Sequence, residues 1–545
     1  MQGAHDEVIE LAHMTGLPPE DLVALRPVRL ALHELIVRVT ADIVVPEGEE
    51  EEDFGHNFRR IAARIWSAYV LPELASVEAA HAALAATVAA RVREILAQSR
   101  LPATATPAAR RAFPFNLLPR RPPPPPVVES RAEREQRVAN AFKSTGETAA
   151  EPLERAIHRG LYRIFSRFIA SVGYVVADDD LLAKLVVRQV CNRYGSRMIG
   201  TLIAPLIEAA IDREGYARVP VQAAPILFSL KGASAAGKSS LRPMLKQLMR
   251  EQGIAPESFV TISPDVWRRI LLDYEALGPA RKYAGYLTSR EVAVIDGKLD
   301  RYIQVKAGVV GGIPHLMVDR FRFDSFASGR IERLLDATYA RYVDTMYMYF
   351  LVTPPEQTVE RGWLRALERG RYKAVEDFLG HSVEAYSGMP KILFKWLSQR
   401  RPLFRYFFLD NRVAKGTFPL TFAYGEQDWL KIRDPLPFVN IERYQKIDTY
   451  ATSPADVYPA ADLLAVERNL DFLKECLRKI PRVEFVAPED EQAYLRFSSG
   501  RCVILDAAGL ARAMQEDEAA TLFRCLLPPT TAAGSILNSG DNPPS

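Results

Sequence analysis

Cysteine is scarce in this sequence of 545 residues, and the few cysteines are not arranged as a metal site. None of them forms a Cys-x-x-Cys pair, so the sequence predicts neither a zinc site nor a disulfide framework. Reduced thiols, as in an intracellular protein, are the simpler expectation. The four cysteines are Cys191, Cys476, Cys502 and Cys525.

An excess of charge of one sign is also absent. The 70 Lys and Arg residues nearly balance the 67 Asp and Glu residues, which leaves a formal charge of +3. This balance gives no electrostatic argument for a nucleic acid or an anionic membrane as partner. No apolar run approaches the ~20 residues that span a bilayer, and the first residues lack the basic start and apolar core of a secretory signal. We therefore expect a cytoplasmic protein, and export into another cell would leave no readable signal here.

Proline, in contrast, is concentrated in one segment, residues 101–130. Five consecutive prolines at 122–126 follow Arg120 and Arg121 there. Such a run favours extended polyproline II and excludes a helix or a sheet ladder. Two interpretations stay open: a stiff linker, or a docking site at residues 119–126 for a proline-binding protein domain. Nearer the N-terminus, an acidic run at residues 47–53 is expected to be a solvated loop.

The stretch 225–240 carries the strongest chemical signal. An apolar, strand-forming run leads into Gly-x-x-x-x-Gly-Lys-Ser, and an amphipathic helix pattern follows. Strand, glycine loop and helix in this order are the context of a phosphate-binding P-loop. The alternative is a glycine-bearing turn that binds nothing. The residues predicted to bind nucleotide are Gly232, Ala233, Ser234, Ala235, Ala236, Gly237, Lys238, Ser239 and Ser240.

Each residue type in this loop has a chemical role. Gly232 and Gly237 let backbone N–H groups approach phosphate oxygens, and the N-terminus of the following helix adds its dipole. Lys238 is expected to reach the β- and γ-phosphates, and the Ser239 hydroxyl to ligate Mg²⁺. ATP and Mg²⁺ are the predicted cofactors.

Beyond the loop, apolar runs alternate with helical patterns, which predicts a parallel α/β sheet. Three of the runs end at or near an acid, namely Asp265, Asp319 and Asp410. Ligands bind at the carboxyl ends of strands in such sheets. The predicted fold class is α/β: a P-loop NTPase sheet of the kinase type, with an added N-terminal all-helical region and a C-terminal extension.

Three acidic residues are candidates for the chemistry. Asp265 is the candidate general base, because a carboxylate after the second strand would face the γ-phosphate and take a proton from an acceptor hydroxyl; the alternative is an N-cap for a helix starting at Val266. Asp319 follows an apolar run, as a Walker B acid that positions Mg²⁺ does, and the alternative is a turn residue. Glu291, on a predicted helix, is a weaker candidate for substrate binding.

A helix pattern after residue 354 carries arginines at a spacing of four. Arg361, Arg365 and Arg369 share one helix face, and Arg371 lies beyond a glycine. These guanidiniums resemble those in the lid of small-molecule kinases, where they grip the transferred phosphoryl group. The alternative is a solvated helix whose arginines pair with its own glutamates.

The span 226–410 resembles the zeta-toxin family of P-loop kinases. The resemblance implies transfer of the ATP γ-phosphate to a sugar hydroxyl, typically of UDP-N-acetylglucosamine. It also implies that Asp265 is the catalytic base and that Glu291 is the helix glutamate that binds substrate. The other matching positions are Gly237, Lys238 and Ser239 in the loop, Asp319 after the third strand, and Arg361 and Arg371 on the lid.

One substrate-side position departs from the family pattern. Where the family has an acid followed by Gly-Thr, this chain has Asp319-Arg320-Phe321. Two large side chains replace two small ones, and Arg320 or Arg322 would suit an extra phosphate on the acceptor. The expected acceptor is therefore a nucleotide sugar or another ribose-bearing compound, with Asp319 and Arg320 among the residues that bind it.

These patterns predict a kinase of small hydroxyl-bearing metabolites, acting as a toxin or effector. An NTP-binding switch or scaffold that acts through protein partners is the alternative, and a polynucleotide kinase is a third, for which no basic groove is evident. The predicted domains are a helical N-terminal domain (1–100), the proline-rich linker (101–130), a helical region packed on the kinase (131–220), the kinase domain (221–457), a helical or mixed segment (458–527) and a disordered tail (528–545).

Overall fold

The computed structural model describes residues 5–17, 19–48, 52–99, 129–319, 339–369, 373–414 and 416–527. Most of the predicted linker, the docking stretch 119–126 and the tail 528–545 lie outside these residues. Within the described part of the chain, no helix combines the length and the apolar character that a membrane span requires.

The chain divides into two compact units. The first comprises Met1–Ile36 and Ala63–Gly215, and the second comprises Val37–Ala62 and Tyr216–Ser545. Two helices, α3 (Pro27–Asp42) and α4 (Asp53–Ile65), contribute residues to both units. The N-terminal sequence is thus shared between the units, whereas its pattern predicts one helical domain over residues 1–100.

The first unit is helical. Its helices from residues 1–100 and 131–220, which the sequence predicts as separate regions, bury side chains in one core that includes Val88, Phe142 and Leu161. The helices are α1 (His5–Thr15), α2 (Pro19–Leu22), α5 (Leu74–Ser99), α6 (Arg131–Thr148), α7 (Pro152–Val172), α8 (Asp179–Val190) and α9 (Ser196–Glu214), with π-helical turns at Trp66–Val70 and Cys191–Gly195.

Helix α7 shows why this region folds as helices. Its apolar residues Ile157, Leu161, Ile164 and Phe168 recur at three- and four-residue spacing and are fully buried, as on the inner face of an amphipathic helix. The helix ends at Gly173, which adopts the left-handed conformation at φ 86°, and glycine does so at little cost.

The second unit is built on a ten-stranded sheet whose first five strands are parallel, in the order β2-β3-β1-β4-β5. Strand β1 lies between β3 and β4, so its carboxyl end is a topological switch point, where α/β sheets bind ligands. The α/β class with a parallel sheet is confirmed, and its kinase-type detail stays a prediction. These strands are β1 (Ile226–Lys231), β2 (Phe259–Ile262), β3 (His315–Val318), β4 (Thr345–Val352) and β5 (Leu403–Asp410).

Apolar and aromatic residues explain why these runs form a buried sheet. Nearly every residue of β1 to β3 is buried, as in a parallel sheet covered on both faces. On β4 and β5, Phe350 stacks on Phe408 at 4.7 Å and Tyr349 on Phe407 at 4.9 Å between ring centroids. Aromatic pairs of this kind stabilise neighbouring strands.

The C-terminal extension continues the same sheet. The pairings within β5-β6-β7 and β8-β9-β10 are antiparallel, and β7 pairs with β8 in parallel. Residues 458–527, predicted as a helical or mixed segment, therefore supply the outer strands. The additional strands are β6 (Leu420–Glu426), β7 (Trp429–Ile432), β8 (Arg482–Val486), β9 (Ala493–Ser498) and β10 (Arg501–Ile504).

Helices connect the strands of the second unit and cover the sheet. They are α10 (Lys238–Glu251), α11 (Pro264–Leu271), α12 (Ala284–Val310), α13 (Pro355–Arg369), α14 (Val375–Leu397), α15 (Leu436–Arg443), α16 (Asp471–Lys479), α17 (Ala507–Ala513) and α18 (Asp517–Leu526). Short 3₁₀ turns lie at Pro256–Ser258, Gly278–Tyr283, Tyr339–Tyr342, Pro454–Asp456, Ala461–Leu464 and Val466–Arg468.

Glu47, from the acidic run, corrects the expectation of a solvated loop. Its carboxylate accepts hydrogen bonds from Arg242 Nε (3.0 Å) and Thr261 Oγ1 (3.1 Å) and lies 2.7 Å from Lys246 Nζ. Arg242 and Lys246 are nearly fully buried on α10. Burial raises the pKa of Glu47, but attraction to Lys246 and Arg242 outweighs it and lowers the pKa below the ordinary 4.5. The carboxylate is retained inside the fold because it balances two buried cations.

We predict that Glu47→Gln lowers the free energy of unfolding by about 3 kcal/mol, because it leaves two buried cations without their counter-charge. The folded pKa of Glu47 lies below its ordinary value, so this stabilisation is present at neutral pH and is lost as the pH falls through the lowered pKa. Chemical denaturation of both proteins from neutral to acid pH measures it. Glu251→Gln, at an exposed carboxylate on α10, is the control and should change stability by less than about 0.5 kcal/mol. Equal stability of Glu47→Gln and wild type at neutral pH would contradict the account.

Candidate active site

The loop between β1 and α10 has the backbone geometry that its glycines predict. Gly237 adopts φ 98° immediately before α10, a left-handed conformation that side chains rarely tolerate. A Cβ atom there would also lie 2.2 Å from Nδ2 of Asn411. Ala235 is likewise left-handed, at φ 58°. The surrounding structure must hold the loop in place to maintain this strained backbone.

The carboxyl ends of β4 and β5 provide that support. The carbonyl of Ala236 accepts hydrogen bonds from Asn411 Nδ2 (2.6 Å) and Thr353 Oγ1 (3.2 Å). Thr353 is itself fixed by Tyr386, whose hydroxyl accepts from the Thr353 N–H at 2.9 Å and donates to its carbonyl at 2.5 Å. These buried bonds fix one side of the loop to the sheet.

Lys238 begins α10 and folds back over the loop. Its Nζ donates to the carbonyls of Gly232 (3.0 Å) and Ala233 (2.8 Å). Burial lowers the pKa of Lys238, and the carboxylates of Asp319 and Asp265 oppose that effect. The ammonium therefore lies within the electrostatic influence of both acids that the sequence predicts.

One cavity of about 320 Å³ joins the predicted residues. Ser234, Ala235, Gly237, Lys238, Ser239 and Ser240 of the loop line it, together with Asp265, Asp319, Arg361 and Arg365. Gly232, Ala233 and Ala236 belong to the loop but do not line the cavity. The other lining residues are Leu241, Met244, Gly362, Leu364, Glu368, Lys373, Phe378, Asn411, Val413, Ala414, Gly416, Thr417 and Pro419.

Asp265 lies in the first turn of α11, beside the cavity. The N-cap interpretation is wrong, because α11 begins at Pro264 and Ser263 occupies the cap position. The Asp265 side chain is 53% exposed, and Arg268 Nε donates to its Oδ1 at 2.8 Å. Arg268 in turn donates to Thr288 Oγ1 at 2.8 Å on α12. The carboxylate is thus oriented by an arginine that a second helix holds.

The side chains of Asp319 and Ser239, which line the same cavity, offer oxygen atoms that could ligate a metal ion. Burial raises the pKa of Asp319, and the cations Lys238 and Arg242 oppose that rise. Mg²⁺ prefers oxygen ligands and is commonly held by one or two protein groups together with phosphates, so this pair fits the ion. Clusters of three or more metal-binding His, Cys, Asp or Glu side chains do not occur in the described residues.

Two arginines of α13 also reach the cavity. Arg361 and Arg365 line it, and Arg361 Nη2 donates to the backbone carbonyl of Asn411 at 2.7 Å. Burial lowers the pKa of Arg361, with Glu360 opposing, and the guanidinium stays a cation. The side chain of Arg369 lies outside the described residues, as do Arg371 and Arg320.

Glu291 is the predicted residue that the cavity does not include. It lies on α12, where it is partly buried and takes part in interactions of its own. Its predicted role in substrate binding stays a prediction.

Three residues in or beside the cavity escape the motif-based prediction. Asn411 follows Asp410, the strand-end acid that the sequence singles out, but Asp410 pairs with Arg412 at 2.5 Å instead. Lys373 Nζ donates to Ser234 Oγ at 2.9 Å and lies 2.6 Å from His381 Nδ1. The position of Lys373 in the arginine-rich span is a sequence signal that it could line a phosphate site. His381 is a lone histidine in a helix, and no sequence pattern marks it as part of a site.

Comparisons with known proteins add little to this geometry. No protein-family model and no curated protein matches the chain. Among solved structures, it is similar to a chain from the PezAT chromosomal toxin–antitoxin system of Streptococcus pneumoniae, at 14% sequence identity and a TM-score of 0.27, covering 48% of this chain and 90% of that one. A likeness this weak carries no argument about function.

We predict that Gly237→Ala weakens ATP binding at least about tenfold, because the added Cβ displaces Asn411 and strains the loop. Titration calorimetry with Mg·ATP measures the effect. Gly253→Ala is the matched control: Gly253 has φ +80° just after α10, with nothing within 4 Å of an added Cβ. It should cost about 1 kcal/mol of stability and leave ATP affinity unchanged. Equal ATP affinities of Gly237→Ala and wild type would contradict the assigned role of the loop.

Proposed function

We propose that the protein is an ATP-dependent kinase that transfers the γ-phosphate to a hydroxyl of a small metabolite, with a nucleotide sugar or another ribose-bearing compound as the acceptor class. The observation that carries the proposal is the convergence of the phosphate loop, two acids and two arginines on one cavity. Phosphoryl transfer depends on positioning and charge stabilisation, and this set of residues provides both. The sequence resemblance to zeta-toxin kinases supports the same reaction.

The donor side is served by the loop and its cations. Backbone N–H groups of the loop and the N-terminus of α10 bind the phosphate oxygens. Lys238, Arg361 and Arg365 stabilise negative charge on the transferred group, where cationic hydrogen-bond donors are strongest. Ser239 and Asp319 would hold Mg²⁺, which neutralises phosphate charge when bound.

The acceptor side is served by Asp265. The acceptor hydroxyl gives its proton to the Asp265 carboxylate while its oxygen forms a bond to the γ-phosphorus, and ADP leaves with the electron pair of the broken P–O bond. Arg268 holds the carboxylate towards the cavity and so limits its rotation. Arg320 stays a proposed contact for a phosphate on the acceptor.

We expect Lys238→Met to lower the rate of phosphotransfer by about 10² to 10³ and Asp265→Asn by about 10² to 10⁴. Asn keeps the shape of the side chain but cannot take the proton. The measurement uses γ-labelled ATP, Mg²⁺ and a metabolite extract, with detection of a product heavier by one phosphoryl group. Asp377→Asn, at an exposed carboxylate on α14, is the control and should transfer at the wild-type rate.

Two outcomes would reject parts of this proposal. Transfer by Asp265→Asn at the wild-type rate would remove Asp265 as the base. ATP hydrolysis that no metabolite stimulates, together with nucleotide-dependent binding of a protein partner, would favour the switch or scaffold instead.

A further inference from the structure

A cluster of three side chains lies at the phosphate loop and has no role in the proposed mechanism. Lys373, between α13 and α14, donates from Nζ to Ser234 Oγ of the loop at 2.9 Å. The same ammonium lies 2.6 Å from Nδ1 of His381 on α14, which in turn lies 3.0 Å from Ser234 Oγ. Lys373 and Ser234 line the cavity, so the cluster adds a cation to the cavity wall beside the loop.

The imidazole in this cluster acts as a neutral acceptor. Burial is the main cause that lowers the pKa of His381 to about 3, and repulsion from the cations Lys373 and Lys238 lowers it further. Attraction to the Asp265 carboxylate partly opposes the shift. A neutral imidazole can accept at Nδ1 from the lysine ammonium, whereas a protonated one could only repel it. The Phe378 ring, 5.0 Å from Nζ, adds a cation–π contact that also favours this position of the ammonium.

Two of the groups that contact the ammonium, the imidazole at 2.6 Å and the hydroxyl at 2.9 Å, are neutral acceptors that orient it beside the loop. Glu384 on α14 also interacts electrostatically with Lys373, and burial of Glu384 outweighs this attraction and raises the pKa of Glu384. A lysine ammonium turns easily on its flexible stem. It can therefore exchange one of these acceptors for a phosphate oxygen held by the same loop.

We propose that Lys373 binds the phosphate chain of the nucleotide, and that His381 is a positioning residue that holds the Lys373 ammonium over the loop. This inference rests on the proposed function, since it assigns a further contact in the same site. It gives the donor side a cation in addition to Lys238, Arg361 and Arg365.

The test compares the affinities of five variants and wild type for Mg·ATP and Mg·ADP by titration calorimetry. Lys373→Met keeps the length of the side chain and removes its charge, so we expect Mg·ATP to bind about ten- to a hundredfold more weakly, as for one lost charged hydrogen bond. Lys373→Arg should retain most of the affinity. Lys391→Met, at an exposed lysine on α14, is the control and should bind like wild type.

His381 is tested by a pair of substitutions. His381→Asn presents an amide oxygen near the position of Nδ1 and should bind Mg·ATP within about threefold of wild type, whereas His381→Leu removes the acceptor and should approach Lys373→Met. Thermal unfolding of the nucleotide-free variants separates positioning from folding. The inference requires that Lys373→Met and His381→Leu lose affinity for Mg·ATP while their melting temperatures stay nearly equal to that of wild type.

The outcomes distinguish this inference from the function on which it rests. If wild type binds neither nucleotide, the proposed kinase function fails and the inference fails with it. If wild type binds Mg·ATP and Lys373→Met binds it within twofold, only the assignment of Lys373 is overturned. A loss of affinity that follows a loss of folded protein would also overturn it, and the ratio of the ATP and ADP effects identifies which phosphate Lys373 contacts.

Discussion

The site depends on one constraint, the fixed backbone of the loop between β1 and α10. The left-handed conformation of Ala235 would relax in an isolated chain, because it is costly outside glycine, whereas Gly237 adopts its positive φ at little steric cost. The Ala236 carbonyl is held by Asn411 and Thr353, which come from the ends of β5 and β4. The parallel sheet therefore does more than form a core, since its strand order brings these two donors to the loop.

Charge is the second organising principle of the cavity. Among the described residues, four cations line it, against three carboxylates. Burial disfavours the charged forms of both Lys238 and Asp319, so it lowers the pKa of Lys238 and raises the pKa of Asp319. A bound triphosphate would neutralise the positive charge of the cations, and a bound divalent ion would neutralise the negative charge of Asp319. Charge is also balanced on α10, the helix that follows the loop, where the Glu47 carboxylate pairs with the buried Arg242 and Lys246.

The sequence was sufficient to predict those site residues that come directly after a strand or belong to a motif. The loop, Asp265 and Asp319 follow directly after strands, and the carboxyl ends of parallel strands meet at one edge, so their convergence could be expected. Asn411 also follows a parallel strand, but no motif marks an asparagine at that position. The partners of Asn411, His381 and Glu47 lie 175, 147 and 195 residues away in the chain, and no motif records such pairings. The acidic run around Glu47 resembled solvent-exposed sequence because charge patterning does not show which carboxylate faces inward. The same limit applied to the C-terminal segment, whose strand β8 pairs with the distant β7 and carries β9 and β10 into the same sheet.

The central claim is that the cavity holds a triphosphate with its terminal phosphate between Lys238 and Asp265. The most direct measurement is a crystal structure of the protein with Mg²⁺ and a non-hydrolysable ATP analogue. The account predicts phosphate oxygens within about 3 Å of the loop N–H groups and of Lys238 Nζ, with Asp265 facing the terminal phosphate. A nucleotide bound elsewhere, or one whose terminal phosphate points away from Asp265, would contradict it.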